Sequence, residues 1–475
     1  MTLPPEAPSA PPPEGGAASG LAEPVPRRPL GPTPVVEPAR RTEVFGEFDV
    51  CVLGGGPAGL AAAVSAASGG ARTLLVERYG FLGGMGTAGG VTNFAGLYGR
   101  RRGRMQQLVR GVVDELLERI DHLGGLNQPQ DGLQGRIRVR SYDTSAYKCA
   151  ADDWLLAAGV RLLFHALAVG VVMDGDRVDA LLVETRSGRR AIRAREFIDA
   201  SGDADLAHFA GVPYALGDGH GSALFPSTMA RIGNVDAERA QAAIGEFKAI
   251  DALMAAAADR YRFPRSGAIL RPQRNPREWR ANVTQLANDR GQAVDATDAV
   301  QLSAAEVEGR RQIVEYLRFL RAEVPGFEAA ELVEIAPQVG IRESRRIVGA
   351  YALTGEDVLG GARFDDVIGL NSWPAEQHVA GRIEWGFARD ADNAYNHLPW
   401  RMLLPQRVAN LLVAGRCASM EHVGQSAARA SGGCFVMGQA AGTAAALRVA
   451  GRFSVPALQA ALRAAGADLD DSERA

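Results

Sequence analysis

The chain has 475 residues, 47% hydrophobic and 23% charged, the balance of a globular protein with core enough for two or three domains. Lys+Arg 52 against Asp+Glu 55 gives a net charge of −3, so there is no electrostatic case for nucleic acid or an anionic membrane as partner. No apolar run approaches the roughly 18–20 residues that span a bilayer. The four cysteines, Cys51, Cys149, Cys417 and Cys434, are too far apart for a CxxC pair or a zinc ribbon. That excludes a disulfide scaffold and favours a reducing, cytoplasmic setting.

The first 46 residues read as a disordered tail: 12 of the 25 prolines precede Ala39, a density that rules out helix and sheet. Arg27 and Arg28 are not followed by the apolar stretch of an export signal. From about Glu47 the texture is α/β. DVCVLG predicts a buried strand, PAGLAAAVSAASGG an Ala-rich helix with Pro57 in its first turn, and ARTLLVE a second strand. A glycine loop (FLGGMGTAGG) and a helix over Met105–Ile120 follow, then a strand series through residues 160–200 with turns at Gly175 and Gly188. From 217 to 337 the composition shifts. AERAQAAIGEFKAIDALMAAAADRY predicts one long helix, GAILRPQR and WRANVTQL predict strands, and Ser303 with Glu306 predicts a capping box opening another helix. The α/β texture returns over 338–455 with the strand NLLVAG and the small-residue helix GGCFVMGQAAGTAAALRVAG, and residues 456–475 are left as a C-terminal tail.

Gly54-x-Gly56-x-x-Gly59 stands between a predicted strand and helix, and Glu77 ends the next strand. In that pattern the first glycine makes the turn, the second admits a pyrophosphate to the backbone, and the third lets helix pack on strand. The acid can accept hydrogen bonds from a ribose hydroxyl, and the helix N-terminus offers free N–H groups to phosphate. A second strand end, Gly415-Arg416, followed by Ser431-Gly432-Gly433 at the start of a helix, supplies a tight turn and a second N-terminus that suits the pyrimidine edge of a flavin. No His/Cys cluster has metal spacing, so no metal is expected.

The segments DVCVLGGGPAGLAAA, FLGGMGTAGGVTNF, FIDASGDADLAHFAGVP, VGIRESRRIVGAYALTGEDV and NLLVAGRC…GQAAGTAAAL together resemble the FAD-dependent oxidoreductase family, distantly related to the fumarate reductase and succinate dehydrogenase flavoproteins. The resemblance implies a Rossmann-like FAD-binding domain of the glutathione-reductase-like kind, built from 47–216 and 338–455, with an α+β substrate domain inserted at 217–337. It implies FAD contacts at Gly54, Gly56, Pro57, Ala58, Gly59, Glu77 and Arg78. Further contacts are implied at Gly84, Met85 and Thr87 of the glycine loop, and at Gly202, Gly415, Arg416 and Gly433. That loop has no histidine, so the FAD is expected to be non-covalent. The aspartate usual ahead of the family's histidine is absent from Trp373-Pro374-Ala375-Glu376-Gln377-His378, which leaves the histidine without its orienting partner.

Hydride transfer between a small organic substrate and a flavin needs a group to take a proton and a cation to hold the substrate. His378 is assigned as acid/base, Arg342 in GIRESRR as the substrate's anchor, and Arg429 as support for the flavin's pyrimidine edge. Dioxygen or an external carrier is the expected electron acceptor, because a second GxGxxG unit for a nicotinamide cofactor is missing. The alternatives are a flavin monooxygenase and a non-catalytic flavin-binding subunit.

Overall fold

The structure, a computed structural model, describes residues 37–245 and 247–470. Residues 1–36 of the expected 46-residue Pro-rich tail lie outside them. The first strand, Glu43–Leu53, starts before the expected Glu47: its N-terminal half pairs in parallel with Arg190–Ala194, and its buried end, Val50–Leu53, pairs with Thr73–Val76. Beyond Thr73–Val76 lies Arg161–Leu163, also parallel. On the other side the long strand Gly188–Asp199 changes neighbour half-way. Residues 188–193 pair antiparallel with Arg177–Thr185, which pairs in turn with Leu167–Asp174, while Phe197–Asp199 pair in parallel with Leu411–Val413. A five-stranded parallel sheet and an antiparallel meander thus share one strand.

Two helices cover one face of this sheet and join the chain's two ends. Pro57–Ser68 and Ser431–Val449 are buried along most of their length because they touch backbone to backbone: a Cβ on Gly438 would sit 2.0 Å from the Ala58 carbonyl oxygen, and one on Gly442 2.1 Å from that of Ala62. Small residues four apart make that approach possible.

A second hydrophobic cluster, drawn from residues 230–330, underlies an antiparallel sheet in the order Ile269–Pro272, Trp279–Asn282, Met229–Gly233, Glu331–Ile335. The helix Ala299–Glu323 backs it with Ile313, Tyr316, Phe319 and Leu320. One face of the sheet meets this core; the other looks onto the cleft described below.

Four local expectations differ from the structure. Asp298, not Ser303, caps the long helix: its carboxylate accepts from the backbone N–H of Val300 and Gln301, while Ser303 sits a turn inside, donating to the Ala299 carbonyl as mid-helix serines do. The helix expected across 237–261 is broken at Gly245 into Ala237–Ile244 and Phe247–Ala256. Ahead of the helix Val112–His122, residues 104–107 are instead the second strand of a hairpin, turned by Arg102 (φ 53°) and Gly103 (φ 73°). Finally, the stretch from 456 read as a tail is packed as far as Asp470. Val455–Ala464 is helical with Leu458 and Leu462 buried, and Asp470 accepts from Tyr395 and pairs with Arg363. Among the described residues, no helix is long and apolar enough to cross a membrane.

Candidate functional site

The carboxyl ends of the parallel strands, at Leu53, Val76, Asp199 and Val413, open onto one cleft that runs on beneath the antiparallel sheet. Its empty volume, counting solvent at its mouth, is about 1840 Å³. In doubly wound sheets this end is where ligands bind.

The Gly54–Gly59 turn divides its work as the spacing predicts. Gly54 has φ 101°, and a Cβ there would meet the Ala200 carbonyl oxygen at 2.4 Å; a Cβ on Gly59 would lie 1.8 Å from the Gly54 oxygen. Gly56 has an ordinary backbone, and the nearest atom to a Cβ there is the Gly84 Cα at 3.7 Å, so its lack of a side chain leaves a slot open to the cleft. Glu77, buried, accepts from the N–H of Gly55 at 2.6 Å and of Tyr79 at 3.0 Å, which braces the turn and leaves part of the carboxylate's capacity for a ribose. Burial raises its pKa, against those two hydrogen bonds and the charge of Arg78.

Pro57, Ala58, Arg78, Gly84, Met85, Gly202, Gly415 and Arg416 also line the cleft. Three residues implied as FAD contacts stand behind its wall. Gly59 packs the helix on the turn, and the Thr87 hydroxyl donates to the Leu82 carbonyl at 2.6 Å. Gly433 gives room to the Ala428 carbonyl, which a Cβ would approach to 2.3 Å. At the head of that helix it is Ala430 and Ser431 that face the cleft. The Ser431 hydroxyl is tied to the Ala95 backbone, and no side chain caps the helix. The helix at Pro57 is likewise uncapped, so two helix N-termini present unpaid N–H groups to one cavity.

Arg416 donates to Asp203 at 2.9 Å, and Arg78 lies 3.6 Å from the same carboxylate. Asp205, close by, is pushed up to about 6 by burial and by the charges of Asp203 and Asp199. A carboxyl raised in the fold contributes its stability below its unfolded pKa and loses it as pH rises through about 6. Asp205→Asn should therefore gain melting temperature relative to wild type between pH 4 and pH 8, by at most about 3 kcal/mol of stability. Parallel melting curves across that range would show Asp205 to be unstrained.

His378, Arg342 and Arg429 come together in the lining of the same cleft. His378 lies in the strand Ala375–Val379, where alternation puts Glu376 on the same face. Its Nε2 donates to Glu376 at 3.0 Å, and the Trp373 indole N–H donates to the same carboxylate at 2.9 Å. The acid that orients His378 here is Glu376, two residues before it, where the sequence pattern lacks the family's aspartate. Burial works to raise the Glu376 carboxyl, but the hydrogen bond from His378, the charge of Arg429 and the Trp373 N–H hold it well below the usual carboxylate range. Burial and then the Arg342 guanidinium pull His378 well below 6.5, against Glu376, so the imidazole is neutral. With Nε2 donating, Nδ1 is the basic edge, and it has no hydrogen-bond partner among the described residues. Arg342 donates to the Phe225 carbonyl at 2.7 Å and the Ser227 hydroxyl at 2.8 Å, and not to Glu343, which pairs with Arg346 and His422.

The antiparallel sheet adds Arg271, Arg280 and Asn282 to the cleft, residues the sequence reading passed over. For Arg280 and Asn282 the signal was the alternation in WRAN, in which every second residue is polar. Among the described residues, no group of three or more His, Cys, Asp or Glu could hold a metal.

A glycine turn with its acid and a second helix N-terminus, gathered at the carboxyl ends of a parallel sheet, define a dinucleotide-binding α/β protein. The chain belongs to the FAD dependent oxidoreductase family, whose profile matches residues 49–465; it is an enzyme, and its cofactor is FAD. Thiamine thiazole synthase of Methanococcus vannielii is 27% identical over 164 residues, 33% of this chain and 56% of that protein, so the chain spans little more than half of that relative. Among solved structures, a geranylgeranyl bacteriochlorophyll reductase-like protein of Thermoplasma acidophilum shares 12% identity over 88% of this chain and 83% of its own, with a TM-score of 0.45. The p-nitrophenol 4-monooxygenase of Pseudomonas putida shares 10% over 88% and 84%, with a TM-score of 0.47. The cleft's own features fit the cofactor: the side-chain-free slot at Gly56, the buried acid at Glu77 and the two uncapped helix ends suit a diphosphate, a ribose and an electron-rich ring edge.

Proposed function

We propose that this enzyme holds FAD non-covalently and moves a hydride between a small organic substrate and the flavin, as a dehydrogenase or oxidase. The observation that carries the reading is the placing of the Gly54–Glu77 cradle and the His378–Glu376 pair in the lining of one cleft. The Gly54–Ala58 backbone, Glu77 and Arg78 would hold the adenosine diphosphate half. Gly415, Arg416 and the helix end at Ala430–Ser431 would hold the flavin half, with Arg429 at its pyrimidine edge. When bound, FAD supplies a two-electron acceptor for the hydride.

The chain's own residues do the rest. Arg342, fixed by Phe225 and Ser227, holds an anionic or carbonyl group of the substrate. His378 takes the substrate's proton on Nδ1, and the resulting imidazolium is stabilised through Nε2 by Glu376. Its depressed pKa keeps the base neutral well below pH 6.5, so the acid limb of substrate-driven flavin reduction is expected below that value. Electrons then leave to dioxygen or an external carrier.

Denaturing the purified yellow protein should release intact FAD into the supernatant. Flavin left on the precipitate would overturn the non-covalent attachment, and FMN in the supernatant would overturn the dinucleotide site. NADPH oxidation that the substrate stimulates would move the enzyme to the monooxygenases.

A further inference from the structure

The sheet above the cleft carries an arrangement of charge that the reaction so far described does not use. Arg271 and Arg280 stand directly opposite each other in antiparallel register, so both side chains project from one face, with Asn282 two residues further along it. Leu270, Trp279 and Ala281 alternate with them into the core. Like charges in such a pair repel. Arg280 is only 5% exposed; its sole side-chain partner among the described residues is the thioether of Met229 at 3.6 Å, a weak acceptor, and its Nε has none. Two more guanidinium groups close on the same amide: Arg342 and Arg265 each reach Asn282 Oδ1 at 3.4 Å. Arg265 leaves its buried Nε and Nη1 without partners, and Arg429 leaves its Nε.

One carboxylate, Glu376, acts on the buried Arg265, Arg280 and Arg342 and on the half-buried Arg429; Asp251 also acts on Arg265, and Glu343 on Arg429. The hydrogen bonds that Glu376 accepts come from His378 and Trp373. Buried cations left this short of counter-charge are expensive. The diphosphate of FAD does not answer the deficit, because its proposed cradle is at Gly54–Ala58 with Arg78 beside it.

We propose that the substrate is a polyanion with two or more oxyanion groups, carboxylate or phosphate, seated on Arg271, Arg280, Arg342 and the Asn282 amide. This rests on the cleft being the flavin and substrate site.

The test follows the flavin spectrum and the melting temperature of the purified holoenzyme at low salt, with citrate, succinate and pyrophosphate as probes and uncharged succinamide as control. Citrate or pyrophosphate should perturb the flavin band and raise the melting temperature, more weakly as salt is added, while succinamide does neither. Which of the two binds tells carboxylate from phosphate. Arg280→Met should keep its FAD, weaken citrate at least tenfold, and melt higher than wild type without added anion, because a buried unmatched charge has gone; a merely structural arginine would lower it. Equal perturbation by succinamide, no response to any polyanion, unchanged citrate affinity in Arg280→Met, or loss of its FAD would each overturn the proposal. A wild-type protein without FAD would instead sink the cofactor reading, and the citrate melting shift on that protein still decides this one.

Discussion

Gly56→Val is expected to yield a folded protein without flavin. The backbone at Gly56 is extended (φ −75°, ψ −178°) and available to any residue, so the substitution is not opposed by strain. A Cβ there meets nothing closer than 3.7 Å, in contrast to Gly54 and Gly59, where it would collide with backbone oxygens. What a valine fills is the slot between Gly56 and Gly84 through which a diphosphate reaches the helix N–H groups. A loss of FAD affinity of at least 100-fold, about 3 kcal/mol, should appear with the circular dichroism spectrum intact. Gly56→Ala should fall between the two. Normal flavin content in the valine variant would show that this turn does not hold the phosphates.

His378→Asn should keep FAD and lose substrate-driven flavin reduction by roughly 10²-fold or more, the usual contribution of a positioned base. Glutamine in its place can still donate to Glu376 from its Nε2, so an equal loss in His378→Gln reports the missing basic nitrogen and not a collapsed wall. Glu376→Gln tests the pair from its other side. Without the carboxylate, an imidazolium beside Arg342 has no counter-charge, and the reduction rate should fall while photochemical reduction of the flavin is unaffected. Stopped-flow traces of wild-type amplitude and rate in His378→Asn would remove it from the chemistry.

Some of this site was legible along the chain because it is local. The glycine turn is a backbone requirement written in three residues, and the acid at the end of the next strand is one βαβ unit away; the structure finds Gly55 N–H on Glu77 across 22 residues. Glu376 was also within reach. A strand's period of two puts residues 376 and 378 on one face, so a glutamate can stand in for the family's aspartate. The long helix begins earlier than its pattern indicates: Ser303–Glu306 matches the box pattern, but Asp298 lies five residues before it and satisfies two N–H groups first.

Residue order and local chemistry by themselves determined that this protein has a dinucleotide turn, an α/β texture at both ends and a family membership that names FAD. Tertiary structure alone decided which charges meet. Arg271 and Arg280 become neighbours through a register between two short strands. Arg342 joins them from a segment some sixty residues on, and Glu376 faces His378, Trp373 and Arg429 at once. Electrostatic fate depends on distance and burial, which no local pattern encodes. An arginine that sequence reads as a solvated charge becomes, when folded under a sheet with one shared carboxylate, part of a seat for an anion.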